Sequence, residues 1–165
     1  MSDMLVNLLK LAPLEPLLDE LRQKGLIIRR ARPHEITPVR DFVLKNFEPG
    51  WADEISVGYA SKPVTVFIAI RDRHVVGFGA YECTRRGFFG PTGVVESERG
   101  RRVGYGLLLA CLWGLREMGY AYAIIGGVGP IEFYERSVGA ILIPDSTPGV
   151  YGDPLSRTPD VSDER

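Results

Sequence analysis

The chain has 165 residues, 45% of them hydrophobic and 25% charged, and a formal net charge of −1. That size and balance suit one globular domain with a sizeable core. The near-zero charge excludes a global field for nucleic acid or an anionic membrane, so any basic chemistry must be local. Two cysteines, Cys83 and Cys111, make no disulfide framework, and His34 and His74 stand far apart, so no zinc pattern forms. A reduced, cytoplasmic protein without a metal is expected. The apolar residues near the N-terminus are interrupted by Lys10 and Pro13 with no cleavage site after them, so neither a signal peptide nor a membrane span is expected.

Residues 1–25 read as a helical arm. Leu14, Leu17, Leu18 and Leu21 recur at helical spacing and Gly25 ends the run. The helix is expected from Met4, packed on the main domain or on a second subunit in a homodimer. Residues 26–31 form a first strand. Pro33 opens a helix carrying Val39, Phe42, Val43 and Phe47, and Glu48-Pro49-Gly50 breaks it before a second helix over 51–60. Residues 64–71 and 75–83 are two antiparallel strands about the turn Asp72-Arg73-His74. The strand over 88–95 contains Gly90, Pro91 and Gly93, which imply a bulge or the close approach of a ligand. A leucine-rich helix follows Gly104 and ends at Gly119. A strand over 122–125, a glycine loop, a short helix over 131–138 and a last strand over 140–143 complete the pattern. The polar tail, 152–165, is expected to be disordered.

The stretch from Gly90 to Gly106 organises this order: strand, glycine-arginine turn, helix. Such a turn aims backbone N–H groups at a phosphate. A P-loop needs Lys-Ser/Thr after its last glycine, but Leu107 and Leu108 follow Gly106. A dinucleotide fingerprint needs a small residue at 109, which is leucine, within an early βαβ unit. A pyrophosphate held by the N–H groups of a helix start, with arginines adding charge, remains.

The run Val94-Val95-Glu96-Ser97-Glu98-Arg99-Gly100-Arg101-Arg102-Val103-Gly104 resembles motif A of the GNAT N-acetyltransferase superfamily, Gln/Arg-x-x-Gly-x-Gly/Ala before a helix. The ungapped register puts Arg99 first, Arg102 where a glycine is usual, and Gly104 at the second glycine. A register two residues later, Arg101-x-x-Gly104-x-Gly106, fits the letters better and the strand spacing worse. Phe133-Tyr134-Glu135-Arg136-Ser137-Val138-Gly139-Ala140 is similar to motif B, one helix and one strand downstream.

The resemblance covers 26–151 and implies an α/β (α+β) fold of the GNAT acyl-CoA N-acyltransferase type. Its central sheet would be mixed and mostly antiparallel, splayed between the fourth and fifth strands, 88–95 and 122–126, with helices on both faces. It implies acetyl-CoA as co-substrate, with pantetheine along Val94 and Val95 and pyrophosphate on Arg99, Gly100, Arg101, Arg102, Val103, Gly104, Tyr105 and Gly106. It implies transfer of the acetyl group to the primary amine of a small molecule by direct attack, with Tyr134 as general acid. The strand over 87–92 supplies no carboxylate, so Glu82, on the strand before it, is the candidate base, acting through water. Trp51, Tyr81, Phe88 and Phe89 are expected to wall the acceptor pocket. The missing strand carboxylate leaves an alternative, a non-catalytic acyl-CoA-binding sensor or regulatory module.

Overall fold

The computed structural model describes residues 1–155; the tail beyond 155 lies outside the described residues. Seven strands form one sheet: β1 (Met4–Asn7), β2 (Leu26–Arg30), β3 (Val66–Arg71), β4 (His74–Tyr81), β5 (Phe88–Val94), β6 (Tyr122–Ile125) and β7 (Ile141–Leu142). Their spatial order is β2-β3-β4-β5-β6-β1-β7. Every pairing is antiparallel except β5 with β6. Among the described residues five α-helices accompany them: α1 (Leu14–Gln23), α2 (Ile36–Asn46), α3 (Pro49–Ala60), α4 (Val103–Glu117) and α5 (Ile131–Val138).

Strand alternation divides the side chains of the sheet between two faces. Val66, Ile68, Phe78 and Ala80 bury against Val39, Val43, Ala52 and Ile55 of α2 and α3. On the opposite face α4 lies across the sheet, with α1 and α5 beside it. Gly79 sets how closely α4 approaches: a Cβ there would come within 3.2 Å of Cys111 Sγ on the helix. Ten of the fifteen residues of α4 are buried, which explains its apolar circumference. The β3–β4 turn carries φ of +49° at Asp72 and +66° at Arg73, as a two-residue hairpin turn of matching twist requires.

The expected arm needs correction. Its helix begins at Leu14, and Met4–Asn7 is a strand inserted between β6 and β7. Met4, Val6 and Leu8 are fully buried in the core while Leu5 and Asn7 are half-buried, a period of two. The many leucines that follow mask that period with a helical one.

Candidate functional site

The two parallel strands separate almost as soon as they meet. β5 pairs with β6 only at Phe88↔Ile124 and Phe89↔Ile125. Just beyond, β5 bulges: Gly79 and Tyr81 of β4 face Thr92 and Phe89, so three steps on β5 match two on β4. Gly90 takes φ +122° within this bulge, a conformation that favours glycine. From there to Val94, β5 has β4 on one side and no strand on the other. A cavity of about 620 Å³ fills the gap and runs from Phe89 and Tyr134 to Gly100 and Gly104.

At its far end stands the glycine-arginine turn. Arg71 anchors the turn by gripping the buried Glu98 with Nε (2.6 Å) and Nη2 (3.0 Å). That guanidinium holds the Glu98 carboxyl below the usual carboxylate range. Gly100 has φ +74° and Arg102 φ +65°, so Arg102 carries the left-handed backbone that would suit a glycine. Gly106 N donates to Arg102 O at 3.0 Å and closes the first turn of α4. The N–H groups of Val103, Gly104 and Tyr105 precede any intrahelical acceptor, and no side chain caps them. Together with the helix dipole they form an anion-binding end.

The candidate residues of the turn divide between two sides. Val94, Arg99, Gly100, Arg102, Gly104 and Tyr105 line the cavity. Val95 donates its N–H to Val76 O on β4 at 3.0 Å and lies outside the cavity wall. The Val103 side chain is buried in the α1-side core. Arg101 lies in a groove on the reverse side with Lys24 and Arg71, 3.8 Å from Glu98. Gly106 faces away from the cavity: a Cβ there would sit 2.5 Å from Ile28 Cδ1 and 2.9 Å from Leu21 Cδ1. It is a packing glycine whose N–H is already used. The Arg102 guanidinium is engaged as well, by Glu20 at 2.6 Å and over the Tyr105 ring at 5.5 Å.

A second cavity, of about 360 Å³, adjoins the first. Phe89, Thr92, Pro130 and Tyr134 line both. Tyr134 therefore stands where the two spaces meet, its ring edge-on to Phe89 (6.4 Å) and Phe133 (5.0 Å). Burial pushes its hydroxyl up to about 12, so the proton stays on at neutral pH. Trp51, stacked on Phe47 at 5.7 Å, walls the second cavity.

Three expected residues lie elsewhere. Tyr81 is turned under α4, where its ring occupies the space a Gly114 side chain would take, and its hydroxyl accepts from Arg30 Nη1 at 2.6 Å. Phe88 packs toward Gly126 and lines neither cavity. Glu82 has φ +59°, and its carboxylate accepts from Gly87 N inside the β4–β5 turn. It serves the turn and is not on either cavity wall. The sequence reading missed Thr92, Ser137 and Tyr151 as lining residues. Ser137 lies three residues after Tyr134 on α5, so the motif B helix carried that signal. Tyr151 carried none, since it meets the site only through the folded chain.

This open sheet, split at one parallel pair beside an uncapped helix start, is the fold of the GNAT N-acetyltransferases. One similar structure is the glucosamine N-acetyltransferase region of a fungal multi-domain GH3 β-N-acetylglucosaminidase (TM-score 0.68, 17% identity, 86% of this chain, 19% of that one). Another is a GCN5-related N-acetyltransferase from Sphaerobacter thermophilus (0.64, 18% identity, 86% and 48%). A GNAT family acetyltransferase from Brucella melitensis in complex with acetyl-CoA also matches (0.51, 20% identity, 72% and 86%). The chain thus spans 19% and 48% of the first two, and the likeness is one of fold. No protein-family model and no curated protein matches the sequence.

Proposed function

We propose that this chain is an acetyltransferase that moves the acetyl group of acetyl-CoA to the primary amine of a small molecule. One observation carries the reading: a single cavity joins the unpaired edge of β5, the uncapped start of α4 and Tyr134. Pantetheine would lie along Gly93 and Val94 as an added strand, with pyrophosphate on the N–H groups of Val103, Gly104 and Tyr105. The thioester would then stand at Tyr134, facing the second cavity.

In this reading the neutral amine attacks the thioester carbonyl and the C–S bond breaks. The departing thiolate takes the Tyr134 proton, and the phenolate recovers one from solvent. The apolar surroundings that raise the phenol also desolvate the thiolate and raise its proton affinity, so the transfer stays matched. With Glu82 spent inside its turn, the amine loses its proton to water. The same fact favours the second reading, a non-catalytic acyl-CoA-binding module. Thiol release from acetyl-CoA across a panel of primary amines decides between them. Turnover with any amine establishes the enzyme; acetyl-CoA binding without turnover on every acceptor class establishes the module.

A further inference from the structure

The second cavity is walled by rings, aliphatic side chains and backbone, with Met1 at its border, and among the described residues no charged side chain lines it. Its flat walls are Trp51 and Tyr151, and its floor is the glycine loop over 126–129. Two carboxylates lie directly behind this wall, and both are spent on holding it. Asp3, buried, accepts from Gly127 N at 2.9 Å and fixes the loop. Glu54 accepts from the Tyr151 hydroxyl at 2.9 and 3.2 Å and from Thr84 Oγ1 at 2.9 Å. These two acidic groups are thereby engaged in orienting the wall.

Resting on the acetyltransferase reading, we propose that the acceptor is a small primary monoamine with a flat apolar body, held between Trp51 and Tyr151. Acceptors bearing a second charge are rejected. The volume, about 360 Å³, sits at the small end of ligand cavities, roughly 300–1,000 Å³. A second ammonium or a carboxylate on the acceptor would be desolvated there with no charged side chain of opposite sign, a cost that sets the selectivity. Tyr151 is the specificity-determining wall, and Glu54 and Thr84 position it by fixing its hydroxyl.

The test is calorimetric titration of 2-phenylethylamine, phenylalanine and spermidine into protein saturated with CoA, preceded by titration of acetyl-CoA itself. The expected result is that 2-phenylethylamine binds and that the other two, which add a carboxylate or further ammonium groups, bind at least about tenfold more weakly. Tyr151→Ala should weaken 2-phenylethylamine about tenfold with CoA affinity unchanged. Equal or tighter binding of phenylalanine or spermidine overturns the proposal. So does unchanged 2-phenylethylamine affinity in a Tyr151→Ala protein that still binds CoA. Should that variant fail to fold, the three-ligand comparison on the native chain decides alone. Acetyl-CoA binding without 2-phenylethylamine binding removes this proposal only; no acetyl-CoA binding removes the acyl-CoA reading and this proposal with it.

Discussion

Arg102 Nη1 donates to Glu20 Oε2 at 2.6 Å, tying the left-handed residue before α4 to helix α1. The side chain that appears in the sequence to offer charge to a phosphate is thus directed at a neighbouring helix. Backbone N–H groups, not this guanidinium, define the anion site in the proposed function. Arg102→Gly should therefore change acetyl-CoA affinity by less than about threefold. Its stability should stay within about 1 kcal/mol of the native chain, because relief of left-handed strain offsets loss of an exposed ion pair. Calorimetric titration and a urea midpoint check both halves.

Gly104 and Gly106, two residues apart, have opposite tasks. A Cβ on Gly104 would find its nearest neighbour at 3.9 Å, Val94 Cγ2. Gly104→Ala should fold normally and gain up to about 1 kcal/mol of helix propensity. Gly104→Glu should also fold but lose acetyl-CoA binding, since it sets a carboxylate against the uncapped N–H groups. Gly106→Ala forces a methyl against Ile28 and Leu21 and should cost about 1–3 kcal/mol in urea unfolding. Retained acetyl-CoA affinity in Gly104→Glu would sink the anion site.

Tyr134 makes no hydrogen bond through its hydroxyl among the described residues, so removing that oxygen disturbs only the chemistry. Tyr134→Phe should lower kcat by about 10²–10⁴ while acetyl-CoA affinity and the melting temperature hold. With the hydroxyl pushed up to about 12 by burial, the acid form persists through neutral and mildly alkaline pH. Rates should show no alkaline loss from this group below about pH 11. A Tyr134→Phe protein with native turnover would remove Tyr134 as the acid.

Much of this was legible in the residues. The glycines and proline of β5 announced a bulge because a strand interior has few other uses for them. The hairpin about Asp72 and Arg73 followed from alternation on each side of a turn. At the cavities, the turn from Arg99 to Tyr105 was visible in its local glycine-arginine spacing, and Tyr134 through the resemblance to motif B. What local spacing does not encode went astray. β1 pairs with β6, more than a hundred residues later, and its alternation is too short to outweigh the leucines after it. Tyr81 and Phe89 look alike as aromatic strand residues and pair with each other, yet Tyr81 is held by Arg30 against Gly114 of α4 while Phe89 borders both cavities, a division set by neighbours distant in the sequence. Glu82 read as a free carboxylate because its acceptor role depends on the turn it closes.

The last prediction concerns acid stability. Glu35 takes both Arg29 nitrogens, Nη2 at 2.6 Å and Nη1 at 3.0 Å, and also accepts from Arg32 N at 2.8 Å. The Arg29 guanidinium, more than the backbone bond, lowers its carboxyl to about 2 from an ordinary 4.5. A group depressed on folding binds more protons when unfolded, so its contribution is complete above pH 4.5 and fades as pH falls toward 2. Unfolding monitored across that window should show the native chain losing stability more steeply than Glu35→Gln. At pH 7 the variant should be the less stable, because Arg29 at the end of β2 loses its charged partner at the entry to α2. Parallel acid limbs for the two proteins would mean that Glu35 titrates normally and that its ion pair contributes nothing to folding.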